Sequence, residues 1–315
     1  MERIKADDLY AYWFLSEVAV APDGAHAAFV SRRARDDGKG YYACIHLLDT
    51  ATGAVRPLTG NGDEASFRWL DATTLIFPSC RTGDQPGETA FYRLDIRGGE
   101  AERAFTIPLS VKQFHPLPDG RWFILTRRPM TSPEDLPADQ PQPGRDYTVF
   151  DELPFWADGL GMINGTRMSG WIFDPADASV NQITPPTYDM EGAAVSPEGS
   201  RILYWGVSFE GIRPDYRQLM LYDLATGQTR SLVPDGKYRI TQVGWWGTDI
   251  WFEGGDPHTS VSRSPKLYLL NPATGDCRTF CAPDGFLGTS AIGDMSLGGG
   301  KVCAVQGDSL YAVRL

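Results

Sequence analysis

Six times along this chain an apolar strand, a tight turn and a second apolar strand follow one another, and this recurring hairpin constrains the fold more than any other feature. Clear copies are "VAVAPDGAHAAFVS" (18–31), "FHPLPDGRWFILT" (114–126) and "AAVSPEGSRILYW" (193–205). Degenerate copies are "FRWLDATTLIFPS" (67–79), "VGWWGTDIWFEG" (243–254) and "GDMSLGGGKVCAV" (293–305). In the Pro-Asp/Glu-Gly turns, proline presets the first φ and the acid bonds nearby backbone amides. Glycine then takes the left-handed conformation that closes a bulged hairpin.

A second hairpin follows the first. "IHLLDTATGAVRPLT" (45–59), "LMLYDLATGQTRSLV" (219–233) and "LYLLNPATGDCRTFC" (267–281) are near-copies, and "FYRLDIRGGEAERAF" (91–105) and "GWIFDPADASVNQIT" (170–184) are looser ones. Each reads as an apolar strand, an Asx-type turn opened by Asp or Asn, and a more polar strand. Interleaving the two hairpins makes units of four strands. The turn residues Asp49, Asp95, Asp174, Asp223 and Asn271 lie 46, 79, 49 and 48 residues apart. All but the second interval match the ~40–50 residues of a propeller blade.

A four-stranded sheet this small cannot bury its own faces, whereas blades stacked around a channel cover one another's edges. The expected fold class is therefore all-β, a β-propeller of four-stranded blades. A β-sandwich would explain the strands but not their period. Six blade-like units are visible, the last incomplete at "SLYAVRL" (309–315), so five to seven blades are possible. Residues 7–14 read either as a strand that completes a ring or as a capped short helix. The expected organisation is a single propeller domain over residues 1–315.

Composition excludes several partners. The net charge of −11 would repel nucleic acid and anionic membranes, and the cluster Arg32, Arg33 and Arg35 is followed at once by Asp36 and Asp37. The five cysteines are scattered without zinc-ligand spacing, as expected of free thiols in a reducing compartment. Three acids precede the first apolar run, which argues against a secretory signal, and no stretch reaches transmembrane length. The expectation is a cytoplasmic protein with neither nucleic-acid nor membrane partners.

Nor does the chain offer catalytic machinery. No serine sits in a G-x-S-x-G elbow; Ser169 in "RMSGW" and Ser290 in "LGTSAIG" come closest. His26, His46, His115 and His258 fall beside turns, within a strand or in a loop, where structural roles are expected. No recurring inward acid and no phosphate-binding glycine loop is present. No catalytic residue, metal ligand or cofactor is therefore assigned.

The long second interval, that of the third blade, carries an insertion, 129–167. Its first half falls in "RRPMTSPEDLPADQPQPGRD" (127–146), whose five prolines read as an extended solvated loop. Its second half, "FDELPFWADGLGMINGTR" (150–167), collects Phe150, Leu153, Phe155, Trp156, Leu160 and Met162. These are too apolar to stay in water together and must pack on a blade, on the propeller's face or on a partner domain. Asp151, Glu152 and Arg167 are placed to meet a substrate's charged terminus. The competing reading is a self-satisfied loop with its own small core.

Taken in order, "VAVAPDGAHAAFVSR", "IHLLDTATGAVRPLTGNGDEASFRWLDATTLIFPSCR" and "DELPFWADGLGMINGTR" resemble the propeller of prolyl-oligopeptidase-family serine peptidases. The branch they resemble is that of acylaminoacyl and dipeptidyl peptidases, and the resemblance runs from about residue 7 to residue 315. It implies an α/β-hydrolase domain, carrying Ser, Asp and His, that follows the propeller and is absent from residues 1–315. In the family the propeller caps that site and admits short or unfolded peptides. No triad position can be carried over. The resemblance thus implies a non-catalytic, substrate-gating domain of a serine peptidase. Its partners would be an α/β-hydrolase domain, in cis or as a separate chain, and short peptides. Asp151, Glu152, Phe155, Trp156 and Arg167 are the expected substrate-proximal or interdomain residues. A free-standing propeller that binds a protein or peptide is the alternative.

Overall fold

The structure, a computed structural model, describes residues 5–81, 84–130, 149–258, 266–281, 296–298, 301–306 and 309–314. Five antiparallel four-stranded blades follow the two-hairpin pattern. The first runs β1 (Phe14–Val20), β2 (His26–Ala34), β3 (Tyr41–Asp49), β4 (Val55–Pro57), and the second β5 (Arg68–Trp69), β6 (Thr74–Pro78), β7 (Thr89–Asp95), β8 (Glu102–Ile107). In the third, β9 (Val111–Pro116) and β10 (Trp122–Pro129) are separated in sequence from the later strands by a small hairpin, β11 (Trp156–Ala157) and β12 (Gly161–Met162). The blade is completed by β13 (Thr166–Asp174) and β14 (Ser179–Gln182).

The fourth blade comprises β15 (Tyr188–Val195), β16 (Arg201–Ser208), β17 (Gln218–Asp223) and β18 (Thr229–Ser231). The fifth comprises β19 (Arg239–Trp246), β20 (Asp249–Gly255), β21 (Lys266–Leu270) and β22 (Cys277–Cys281). Three further strands, β23 (Ser296–Gly298), β24 (Lys301–Gln306) and β25 (Ser309–Arg314), pair as the incomplete sixth unit. The fold is an all-β propeller of four-stranded blades. Of the two readings of residues 7–14 the helical one holds, because Ala6–Ala11 is a short 3-10 helix leading into β1.

The turns close as their chemistry dictates. Asp49 Oδ1 accepts the amides of Ala51 and Thr52 and the Thr52 hydroxyl, and Asp223 does the same for Ala225 and Thr226. Those threonine amides hold both carboxyls below the ordinary carboxylate range. Asn271, lacking the charge, still accepts from Ala273 and Thr274. In the Pro-acid-Gly turns, Gly24 and Gly199 both sit at φ 72°, a left-handed backbone that side chains resist.

Two compact units divide the chain, one of Met1–Thr126 with Phe173–Val180, the other of Arg127–Ile172 with Asn181–Leu315. Each contains a pair of blades joined by the same two bonds. In the first unit the Trp69 indole donates to Ala19 O at 3.1 Å, and Arg56 donates to Ile96 O. In the second, Trp245 donates to Ala194 O at 3.0 Å, and Arg230 to Pro272 O. The two apolar cores follow the same pairing. Val30, Ile45 and Leu47 of the first blade pack with Phe67, Leu75 and Phe77 of the second, and Leu203, Leu219 and Leu221 of the fourth with Ile240, Ile250 and Phe252 of the fifth. Replacing either tryptophan by phenylalanine leaves a carbonyl without its donor. A loss of about 1 kcal/mol in urea unfolding is expected for each variant.

His115 on β9 stacks against Phe123 at 6.0 Å. Burial, helped by the charge of Arg68, pushes its pKa down to about 4. The unfolded chain takes up this proton first, near pH 6.5. Stability should therefore fall as pH drops below that value and level off near pH 4, a loss on the order of 2–3 kcal/mol once partial exposure is allowed for. Thermal melting of His115→Gln across that window should lose this slope.

Candidate functional site

The insertion's second half is built around one buried ion pair. Glu152 is 6% and Arg167 1% exposed, and they meet bidentately, Nη2 to Oε1 at 2.5 Å and Nη1 to Oε2 at 3.0 Å. The guanidinium spends its remaining donors on backbone: Thr166 O at 2.9 Å, Thr187 O at 3.2 Å and Phe209 O at 2.7 Å. Its flat face lies 3.8 Å from the centre of the Phe209 ring. Glu152 also accepts the Gly165 amide at 2.8 Å. Burial pushes the Glu152 carboxyl up, but the Arg167 hydrogen bond, the Gly165 amide and the arginine's charge outweigh it and hold it below its ordinary value.

Around that anchor the backbone is pinned twice. Asn164 Oδ1 accepts the amides of Asp151 and Glu152, and its Nδ2 donates to Asp151 Oδ1 at 3.1 Å. Leu153 bridges the loop after β16: its amide donates to Gly211 O and its carbonyl accepts from Arg213 N, both at 2.9 Å. Between these pins the β11–β12 hairpin pairs Trp156 with Met162 and Ala157 with Gly161. Phe150 and Phe155 stack at 4.6 Å between ring centres.

A ladder of charges backs the same region. Asp189 on β15 accepts the Met168 amide at 2.8 Å and pairs with Arg213 at 3.1 Å and Arg127 at 3.9 Å. Arg213 continues to Glu191 at 2.7 Å, and Glu191 to Arg217 at 2.5 Å. Asp189, Glu191, Phe209, Arg213 and Arg217 carry no motif and lie 37–65 residues from Glu152 in sequence. Only the fold brings them to it.

The five expected site residues thus take different places. Glu152 and Arg167 face one another inside the protein, Asp151 caps the Asn164 turn, and Phe155 and Trp156 stand in solvent. Leu153, Leu160, Met162 and Ile212 are exposed beside them.

Elsewhere, Ser31 Oγ lies 3.2 Å from His46 Nδ1 across β2 and β3. Ser31 is only 4% exposed, His46 stacks on Phe29 at 5.4 Å, and neither lines a described cavity. Two described cavities, of about 470 and 230 Å³, belong to the first unit and are lined by His26, Arg56 and Ile96, and by Asp63, Cys80 and Glu88. Among the described residues no group of His, Cys, Asp and Glu could hold a metal, and Cys44, Cys80 and Cys277 are free. Ser290 lies outside the described residues, and Ser169 is buried on β13. No described helix is long and apolar enough to cross a membrane.

Comparison with known proteins adds context. No protein-family model matches the chain. The peptidase YuxL of Bacillus subtilis is 27% identical over 209 residues, covering 64% of this chain but 31% of YuxL. The acylaminoacyl peptidase of Pyrococcus horikoshii superposes with a TM-score of 0.66 at 15% identity, over 96% of this chain and 45% of that one. The propeller domain of the trilobed protease from Pyrococcus furiosus gives 0.57 at 14% identity, over 96% of this chain and 83% of that domain. The chain therefore spans about a third of the curated relative and under half of the first of these structures.

Proposed function

We propose that this chain is a propeller domain of the prolyl-oligopeptidase peptidase family, and that it is the non-catalytic gate of a cytoplasmic serine peptidase acting on short peptides, a reading its likeness to YuxL and to the peptidase propellers supports. The single observation that carries this reading is the exposed aromatic hairpin held on a buried ion pair. A surface loop with no task gains nothing from a desolvated Glu152–Arg167 anchor, nor from leaving Phe155 and Trp156 in water. Rigid support behind and apolar side chains in front suit a surface that meets a peptide on its way to an α/β-hydrolase domain, in cis or on a separate chain. The free thiols favour the cytoplasm.

Two measurements test this. The purified chain should not turn over acylated or dipeptidyl chromogenic substrates. With the chain joined to its hydrolase domain, Trp156→Ala should change the preference for short over long peptides several-fold, with melting nearly unchanged, since Trp156 is 51% exposed. A melting loss of the size a buried aromatic causes, roughly 3–5 kcal/mol, with unaltered specificity, would sink the reading.

The same exposed face also suits a free-standing interaction propeller. The DNA downstream of Leu315 separates the two. An in-frame hydrolase with a G-x-S-x-G elbow favours the gate, whereas a stop followed by unrelated genes favours the interaction module.

A further inference from the structure

Resting on the gate reading, the surface chemistry of the hairpin goes further and selects among peptides. Its apolar part is Leu153, Phe155, Trp156, Leu160, Met162 and Ile212, each between 38% and 73% exposed. Residues 149–164 and 209–213 form one backbone-linked surface through the Leu153 pairings with Gly211 and Arg213. Three exposed carboxylates, Asp151, Asp158 and Glu210, accompany that apolar surface. Asp158 sits in the turn between Trp156 and Leu160, and Glu210 precedes the Gly211 that pairs with Leu153. Asp151 accepts only the Asn164 amide on one oxygen among the side-chain bonds of the described residues.

Among the described residues of this surface no counter-charge is free. The one cation among them, Arg213, is half-buried and committed to Asp189 and Glu191. Among the described residues, none of the three carboxylates forms an ion pair with a basic side chain. The occupant must then bring apolar contact area and positive charge together. A face of tryptophan adds to that preference, because its quadrupole attracts ammonium and guanidinium groups.

We propose that this face binds peptides in which a lysine or arginine side chain neighbours large apolar ones, and disfavours their acidic counterparts. The charge that is read belongs to a side chain. A peptide blocked at both ends carries it as well as a free one does.

The probes are three such tripeptides, acetyl-Phe-Lys-Leu-amide and its Gln and Glu counterparts. They are titrated into the whole 315-residue chain at low ionic strength, with binding followed by calorimetry. Exposed charge pairs are worth at most about a fivefold change each, so the Lys peptide should bind on the order of tenfold more tightly than the Glu peptide, with Gln between. That gap should shrink to about twofold at 0.5 M salt and in the double variant D158N/E210Q. The single variants D158N and E210Q should each remove part of it. All these substitutions are at exposed sites, and unchanged melting curves check that they fold. W156A should weaken all three peptides alike.

Equal affinity for the Lys and Glu peptides overturns the proposal, as does a gap that stays near its wild-type size in D158N/E210Q. If the three bind equally and W156A still weakens them, the gate stands and only its charge preference falls. If none binds the wild-type chain, gate and preference fall together.

Discussion

Arg167→Ala should lower the stability of this chain by about 3–5 kcal/mol, because it leaves the Glu152 carboxylate buried without its partner. The loss is larger than for an ordinary surface pair. Both side chains are sequestered, and Arg167 also supplies the carbonyls of Thr166, Thr187 and Phe209. Arg167→Lys keeps the charge but not the planar fork, and should fall between wild type and alanine. Urea unfolding measures the total. Hydrogen exchange locates it, since residues 149–164 should lose protection before the blades do.

The pH dependence gives this prediction a second handle. Glu152 titrates below its ordinary value in the folded chain, so its contribution is present above the unfolded value, about 4.3, and is lost as pH falls through the folded one. Without Arg167 only the burial of Glu152 would dominate, raising the carboxyl and favouring its neutral form. The gap between wild type and Arg167→Ala should therefore narrow at pH 4. A gap that stays constant from pH 7 to pH 4 would show that the pair is not what holds the hairpin.

Phe91→Ala should cost a comparable 3–5 kcal/mol for a different reason. Phe91 is fully buried and packs against Phe105 at 5.2 Å, Phe114 at 4.9 Å and Trp122 at 6.0 Å between ring centres. Phe105 in turn reaches Trp122 and Phe173. Removing the central ring leaves a cavity that its aromatic neighbours cannot collapse to fill, because they pack on one another. The contrast with Trp156→Ala is the informative part. Two aromatic deletions of similar size should separate cleanly, one in stability and the other in peptide preference. Equal melting losses would place Trp156 in a core.

The strands and turns were legible because their signals are local. A period-two apolar run, a Pro-Asp-Gly turn and an Asp followed by Ala-Thr-Gly each specify geometry within a few residues. All six first hairpins and five second hairpins form where those signals stand. The insertion was legible only as an anomaly of spacing. Its apolar residues were readable as needing something to pack on, and Phe155 and Trp156 are exposed. The charges were harder. Glu152 and Arg167 look alike in sequence whether they face a substrate or one another.

What separates the two cases is whether water is present, and that is a property of packing. The chain's own order of residues determined the β class, the four-strand units, the turn chemistry and the place of the extra segment, since each rests on contacts between near neighbours. Only the tertiary structure decided that Glu152 meets Arg167, that Phe209 and Thr187 close over the pair, and that Asp189, Arg213, Glu191 and Arg217 stand behind it. Those partners are brought together by blade packing across tens of residues, where no local preference of the backbone can encode them.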